Sequence, residues 1–267
     1  MDQTVIDAAI GAEHGLTDDA FLGGALQVLQ PASGYRAGLD AVMLAAAIPA
    51  TDQPMRVLDV GAGVGTAGLC LARRVAASQV VLMEREPALA EIAAENARRN
   101  GLSERVRAVK GEVGLAAAAL AALGLKDGSF DHVIANPPYH DRQAGTLPPD
   151  ALKAGAHAMD EGELERWARF MARMTAAGGS ATIVHKADAL VQVLNAMQSR
   201  FGGLRILPLQ PRAGAAAHRV IVSGIKGSRA LPKLLAPFAL HEADGAFTGP
   251  AQDILRNGAG LPMTPAV

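Results

Sequence analysis

The residues Arg56-Val57-Leu58-Asp59-Val60, followed by Gly61-Ala62-Gly63-Val64-Gly65, set the architecture of this 267-residue chain. The first five form a short apolar strand pattern, and a helical pattern runs from residue 66 to about residue 76. Glycines let the backbone approach a ligand closely, and free N–H groups at a helix start favour a carboxylate or phosphate. This order of strand, glycine turn and helix predicts an open α/β sheet with a ligand at the carboxyl end of the strand.

Two cofactors fit the glycine turn. Residues 63–68 match the dinucleotide pattern G-x-G-x-x-G, so an NAD-dependent oxidoreductase has to be considered. Asp59 precedes the first glycine by two positions, and a negative charge at the mouth of the loop would repel a pyrophosphate. The same charge suits the α-ammonium group of S-adenosyl-L-methionine. We therefore expect S-adenosyl-L-methionine, in contact with Asp59, Gly61, Gly63 and Gly65.

Acidic residues end the next two predicted strands. Glu84 follows the strand at 79–83, where its carboxylate could accept both hydroxyls of an adenosine ribose. Glu112 and Val113 follow the strand at 105–109 and could meet the adenine edge. The alternatives are an exposed loop charge at Glu84 and an ordinary strand-to-helix turn at Glu112.

Asn136-Pro137-Pro138-Tyr139 follows a further apolar strand pattern at 130–135. The two prolines stiffen this turn, because their φ angles are fixed and they have no N–H groups. The Asn136 side-chain oxygen and the Pro137 carbonyl can then accept both hydrogens of one planar NH2 group. Tyr139 would stack on the substrate's π-system, a contact worth about 1 to 3 kcal/mol per base. The pattern predicts chemistry on a planar amine, and the alternative is a surface turn with a core tyrosine behind it.

These elements together resemble a known family. The residues at 59–65, 84, 112–113 and 136–139 are similar, in order and spacing, to class I S-adenosylmethionine-dependent methyltransferases with an N-P-P-Y catalytic motif. The resemblance implies methyl transfer to a planar amino nitrogen by residues 136–139, with Asn136 also beside the cofactor. Enzymes acting on protein glutamine, DNA adenine or ribosomal guanine share this motif, so it indicates the kind of atom and not the molecule. A non-catalytic cofactor-sensing module is disfavoured, because the chemically needed residues are all present.

The two ends of the chain resemble, more narrowly, the bacterial tRNA(Val) adenine N6-methyltransferase family. The similar segments are 17–24, 30–31, 34–44 and 241–248. This resemblance implies methylation of adenine N6 in the anticodon loop of a tRNA, and a cofactor-binding segment that includes Arg36, Gly38 and Asp40. Arg36 could pair with the cofactor carboxylate while Asp40 caps the following helix. The alternative for Asp40 is a helix N-cap and nothing more.

Strand and helix patterns alternate along the chain. Strands are predicted at 56–60, 79–83, 105–109, 130–135 and 180–185, with helices at 40–48, 66–76, 87–100, 113–124, 160–177 and 187–199. Strands at 204–209 and 218–225 are expected to form an antiparallel hairpin at the sheet edge. Alternation predicts right-handed crossovers and a parallel sheet covered on both faces, and the resemblance implies a Rossmann-like doubly wound, mostly parallel seven-stranded sheet with one reversed strand. We expect residues 1–50 to form an N-terminal extension with a helix over the cofactor site, and residues 51–267 to form the methyltransferase domain.

Charge is unevenly distributed along the chain, although the net charge is only −1. Residues 1–70 carry eight acidic and two basic side chains, whereas residues 180–233 carry eight basic and one acidic. The second segment predicts a basic face that could follow an RNA backbone with salt-sensitive affinity, and the alternative is dispersal over a solvated surface. The candidate RNA contacts are Tyr35, His140, Lys186, Arg212, Arg219, Lys226 and Arg229.

Composition excludes several other classes of protein. At 50% hydrophobic residues, a chain of this length can bury a large core. A single cysteine, Cys70, excludes a disulfide framework and a cysteine zinc cluster, and the seven histidines lack metal-ligand spacing. No apolar stretch reaches the ~20 residues that span a bilayer, and the start is unlike a signal peptide. We expect a cytoplasmic protein with no metal and no membrane partner; the oligomeric state stays open, with a monomer slightly favoured.

Overall fold

A computed structural model describes residues 15–33, 36–138 and 161–263. Its strands are β1 (Leu16–Phe21), β2 (Leu26–Pro31), β3 (Met55–Val60), β4 (Ser78–Glu84), β5 (Val106–Lys110), β6 (Phe130–Ala135), β7 (Thr175–Lys186), β8 (Phe201–Arg212), β9 (Arg219–Lys226), β10 (Lys233–Leu234) and β11 (Phe238–His241). Its α-helices are α1 (Leu39–Ala46), α2 (Thr66–Arg74), α3 (Pro87–Arg99), α4 (Ala117–Ala122), α5 (Glu161–Met174), α6 (Leu190–Gln198) and α7 (Gly249–Asn257).

The main sheet confirms the predicted α/β class. Its strand order is β10-β8-β9-β7-β6-β3-β4-β5, and β11 also pairs with β8. Strands β3 to β7 are mutually parallel, whereas β9 is antiparallel to both β7 and β8. The sheet is thus doubly wound and mostly parallel, with β9 as its reversed strand.

The prediction of seven strands is wrong, because the described residues already supply nine strands to this sheet. The additional strands are β10, which has two residues, and β11, whose four residues Phe-Ala-Leu-His do not alternate between apolar and polar types. The β8–β9 hairpin is antiparallel as expected, but β9 lies inside the sheet between β7 and β8. Strand β7 begins five residues earlier than predicted, since Gly178 and Gly179 interrupt the apolar pattern at its start.

An N-terminal hairpin of β1 and β2, which the sequence did not predict, docks on α3. Asn96 of α3 accepts a hydrogen bond from the Leu29 N–H at 2.8 Å and donates to the Leu29 carbonyl at 3.0 Å. Asn100 makes the same pair of bonds with Gln27, at 2.9 and 2.8 Å. One side chain of α3 and one at its C-cap therefore satisfy an otherwise open strand edge.

One apolar cluster joins the two ends of the chain. Leu26 and Val28 of the hairpin lie in the same buried cluster as Leu71 of α2 and Ile254 of α7. The division at residue 50 stays a prediction, but the N-terminal segment shares its core with later residues. Among the residues that the structure describes, no helix has the length and apolar character needed to cross a membrane.

Candidate functional site

Strand register places the glycine loop and the Asn-Pro-Pro turn side by side. Strands β3 and β6 are parallel neighbours, and Val60 pairs with Ala135. Each is the last residue of its strand, so Gly61 and Asn136 leave the sheet at the same level. The two segments, 75 positions apart in sequence, therefore meet at one edge of the sheet.

The glycine loop adopts backbone angles that favour glycine. Gly61, Gly63 and Gly65 have φ angles of +66°, +57° and +88°. The N–H groups of Gly61 and Ala62 donate to the carbonyl of Met83, at 2.8 and 3.0 Å, which ties the loop to the end of β4. Gly65 precedes α2, so the loop delivers the chain directly into a helix N-terminus.

Glu84 supports the glycine loop from the end of β4. Its Oε2 accepts the Gly63 N–H at 2.8 Å, its Oε1 accepts the Glu86 N–H at 2.9 Å, and the residue is 8% exposed. Each carboxylate oxygen has a second lone pair that could accept a ribose hydroxyl. The ribose-binding role of Glu84 stays a prediction that this geometry allows.

Asp59 is buried next to the loop, whereas the interpretation from sequence placed its charge at the mouth of the loop. It is 2% exposed, and its Oδ2 accepts the Gly68 N–H of α2 at 2.9 Å. The pKa of Asp59 is raised to about 7, mainly by burial; the Gly68 hydrogen bond acts to lower it, and the nearby charge of Glu84 acts to raise it. The carboxyl group therefore anchors the first turn of α2, and its contact with the cofactor stays a prediction.

The end of β5 completes this side of the site. The Gly111 N–H donates to the Glu84 carbonyl at 2.8 Å. Glu112 is exposed next to it, and Val113 is half-buried. Both residues lie at the sheet edge where the adenine was expected, and their roles stay predictions.

The Asn-Pro-Pro turn is partly enclosed. Asn136 and Pro138 are half-buried, and Pro137 is buried. Three predicted site residues, Tyr35, Tyr139 and His140, lie outside the described residues.

The segment from residue 36 to residue 40 differs from expectation. Asp40 is not the N-cap of α1, because Gly38 occupies that position and no side chain caps the helix. Asp40 instead accepts a hydrogen bond from Arg219 Nε at 2.8 Å. The Arg36 guanidinium binds Asp19 at 2.6 Å and Thr17 at 2.9 Å, so a cofactor carboxylate would have to share it.

The basic residues form two groups and not the single face that the charge count predicted. Lys186 pairs with Arg219 in the β7–β9 register, and Arg212 ends β8 at the same edge as the glycine loop. Lys226 lies at the opposite edge, where its Nζ donates to the Thr175 carbonyl at 2.7 Å. Arg229 follows it there, since β9 runs antiparallel to β7.

Two residues near the site were missed by the sequence analysis. His185 is 6% exposed near the end of β7, and burial lowers the pKa of its imidazole, with the Arg219 and Lys186 charges acting in the same direction. A polar residue at the end of an apolar strand was the signal for His185. Trp167 of α5 packs against Gly61, and nothing local in the sequence indicates that contact.

The residues at this edge fit an adenosyl cofactor with an amino-acid end. The loop offers positive-φ glycines before a helix start, which suits close approach by a carboxylate. Thr66 opens α2, is 1% exposed, and its Oγ1 has no hydrogen-bond partner among the described residues. In the part of the chain that the structure describes, no group of three or more His, Cys, Asp or Glu side chains could hold a metal ion.

Comparison with known proteins gives consistent results. A family model described as the methyltransferase small domain matches residues 37–165. A crystal structure of a predicted O-methyltransferase from Agrobacterium tumefaciens is 34% identical with a TM-score of 0.69, covering 82% of this chain and 97% of that one.

Two curated relatives differ in their named substrates. A tRNA1(Val) (adenine(37)-N6)-methyltransferase of Bacteroides fragilis (strain YCH46) is 29% identical over 211 residues, which is 77% of this chain and 84% of that protein. A release factor glutamine methyltransferase of Chlorobaculum tepidum is 34% identical over 97 residues, which is 36% of this chain and 31% of that protein. The longer of the two alignments is to the tRNA enzyme.

Proposed function

The chain belongs to the class I S-adenosylmethionine-dependent methyltransferases, and on this premise we propose that it methylates the exocyclic N6 of an adenine in the anticodon loop of a tRNA. The observation that carries the proposal is the pairing of Val60 with Ala135, which sets Gly61 beside Asn136. The cofactor loop and the turn suited to holding an amine therefore share one edge. Membership of this family removes the NAD-dependent oxidoreductase alternative.

The glycine loop and the strand ends would hold the cofactor. Gly61, Gly63 and Gly65 offer a backbone surface without side chains, and Glu84 offers carboxylate lone pairs for the ribose. Exposed Glu112 lies where it could meet the adenine edge. Bound S-adenosylmethionine supplies an electrophilic methyl group on a sulfonium.

Asn136 and Pro137 would orient the acceptor. An exocyclic amine is a weak nucleophile because its lone pair is delocalised into the ring. Two fixed oxygen acceptors bind both N–H hydrogens and hold the nitrogen with its lone pair directed at the methyl group. The same oxygens stabilise the positive charge that develops on the nitrogen, so no strong general base is needed before transfer.

The two acceptors favour an amine over a hydroxyl group. A hydroxyl has one hydrogen and would leave one acceptor unused, whereas an NH2 group has one hydrogen for each. The Asn136-Pro137-Pro138 turn thus supports N-methylation, although the Agrobacterium tumefaciens relative is described as a predicted O-methyltransferase.

The choice of tRNA rests on two further observations. The Bacteroides fragilis relative, whose name gives tRNA adenine as substrate, aligns over 77% of this chain. Lys186, Arg212 and Arg219 place three basic side chains at the edge that carries Asn136, where they could contact phosphates. The target base would have to be unstacked to reach the turn.

The test is to incubate the purified protein with labelled S-adenosylmethionine and unmodified total tRNA, and then to identify the labelled nucleoside. We expect N6-methyladenosine, with labelling lost in Asn136→Ala while S-adenosylhomocysteine binding is retained. Asn195→Ala is the matched control, because Asn195 is an exposed asparagine on α6. Label on N2-methylguanosine, on a ribose hydroxyl or on protein glutamine would contradict the proposal.

A further inference from the structure

Trp167 of α5 touches the first glycine of the cofactor loop. It is the only tryptophan in the chain and is 8% exposed. A Cβ added to Gly61 would lie 2.5 Å from Cη2 of the indole, 3.2 Å from Cζ3 and 3.5 Å from Cζ2. These three atoms belong to the six-membered ring, so the benzo edge of Trp167 lies directly against Gly61.

This contact connects the loop to the helix that covers the neighbouring strands. Trp167 belongs to a buried cluster that contains Val60 and Ala135, the last residues of β3 and β6, together with Met171 of the same helix. Those two strand ends pair with each other and precede Gly61 and Asn136. The indole therefore abuts the cofactor loop at the level where the two functional segments leave the sheet.

Gly61 has little freedom between its partners. Its N–H donates to the Met83 carbonyl at 2.8 Å, and its φ of +66° orients the following peptide toward the rest of the loop. The indole blocks the remaining side, where a side chain would otherwise lie. Moving or removing the ring would allow the Gly61 peptide to shift.

We propose that Trp167 is a positioning residue for the cofactor, whose indole fixes the Gly61 peptide in the orientation that binds S-adenosylmethionine. The proposal rests on membership of the methyltransferase family and not on tRNA as substrate. Because the contact involves the only tryptophan, ligand binding at the loop should also change the tryptophan emission.

The experiment measures binding of S-adenosylhomocysteine, which needs no turnover and no RNA. Trp167→Leu is compared with Phe170→Leu, a change at another buried aromatic residue of α5 in the same cluster. We expect Trp167→Leu to weaken binding about tenfold by titration calorimetry, and Phe170→Leu to change it less than about twofold, although both lower Tm. In the wild type, titration with S-adenosylhomocysteine should change the tryptophan emission. The ligand concentration at the midpoint of this change should agree with the dissociation constant from calorimetry.

Trp167→Phe keeps the test decisive if Trp167→Leu does not fold. Phenylalanine preserves a ring in the core but is shorter, so it withdraws from Gly61. We expect this variant to bind S-adenosylhomocysteine several-fold more weakly than the wild type. The proposal is overturned if a folded Trp167 variant binds with wild-type affinity, or if saturating S-adenosylhomocysteine leaves the emission unchanged. Failure to methylate tRNA would contradict the proposed substrate and leave this result untouched.

Discussion

Arg219 Nε donates a hydrogen bond to Asp40 Oδ2 across 2.8 Å, joining β9 to α1. The two side chains are 31% and 19% exposed, so the pair is partly shielded from water. Arg219 also lies opposite Lys186 in the strand register. The carboxylate of Asp40 therefore neutralises part of the positive charge of Arg219 and Lys186. The same ion pair links α1 to β9 at the edge of the sheet that carries the glycine loop.

The Asp40–Arg219 pair should show measurable coupling. We expect Asp40→Ala and Arg219→Ala to be non-additive by about 1 kcal/mol in free energy of unfolding, because partial burial reduces screening. Urea unfolding of the four proteins of a double-mutant cycle measures this. The control is the Arg173–Asp127 pair at 2.7 Å, whose aspartate is 61% exposed and whose coupling should be smaller. Full additivity at Asp40 and Arg219 would contradict the expectation.

The two basic groups should differ in their effect on RNA binding. Arg212 and Arg229 are both exposed, but they lie at opposite edges of the sheet. If tRNA binds at the sheet edge that carries Asn136, Arg212→Gln should weaken tRNA binding several-fold. It should also reduce the slope of log binding constant against log salt concentration by about one. Arg229→Gln is the matched control and should leave both unchanged. Equal effects would show that the RNA path is not restricted to the site edge. Binding is measured by fluorescence anisotropy across a salt series.

Local sequence patterns predicted the part of the site that consists of strand ends. Glu84, Gly61 and Asn136 each follow a recognisable apolar strand, and parallel strands bring their carboxyl ends together. The order of strands in space came from the family resemblance, since periodicity alone does not fix which strands are neighbours. That is why the meeting of Gly61 and Asn136 was predictable before the structure.

Burial of polar side chains and contacts between residues far apart in sequence were not predictable from local sequence patterns. The sequence shows that Asp59 is acidic, but it does not show that the side chain is buried and accepts a hydrogen bond from Gly68 of α2. Asn96 looks like a surface residue of a helix, because its partner strand lies 67 positions away. Trp167 and Gly61 are likewise brought together only by packing of α5 on the sheet.

Ionisation of Asp59 should destabilise the folded protein as pH rises. Its folded pKa of about 7 exceeds its ordinary value of 3.8, so the folded state retains a proton that the unfolded state loses. The resulting loss of stability develops between about pH 4 and pH 7 and is on the order of 4 kcal/mol. Asp59→Asn removes this titration and keeps an oxygen for the Gly68 N–H.

We therefore expect the difference in Tm between Asp59→Asn and the wild type to increase in favour of the variant as the pH rises from 5 to 8. Asp52→Asn, a change at an exposed carboxylate, is the control, and its Tm should differ from that of the wild type by the same amount at every pH. A difference between Asp59→Asn and the wild type that does not grow with pH would contradict the buried-acid interpretation.

Asn96 should be the most sensitive polar residue of α3. It is fully buried, and besides its two bonds to Leu29 it donates to the Val64 carbonyl of the glycine loop at 3.0 Å. Asn96→Ala leaves these backbone groups without partners, and we expect a loss of roughly 2 to 4 kcal/mol in free energy of unfolding. Asn195→Ala, at an exposed helix position, should cost less than about 0.5 kcal/mol in the same urea experiment. Equal costs would contradict the docking role of Asn96.

Gly61→Ala tests the steric relationship between the loop and α5. The added Cβ would lie 2.5 Å from the indole of Trp167, at a φ of +66° that alanine rarely adopts. We expect a lower Tm and loss of S-adenosylhomocysteine binding, since either the ring or the loop has to move. Adding Trp167→Phe shortens the opposing ring and should restore part of the lost Tm, although the backbone penalty of about 1 to 2 kcal/mol for a residue with a Cβ at positive φ remains. Differential scanning fluorimetry of the two single variants and the double variant measures this. If the Tm losses of Gly61→Ala and Trp167→Phe simply add in the double variant, the clash with the indole is not the cause of the destabilisation by Gly61→Ala.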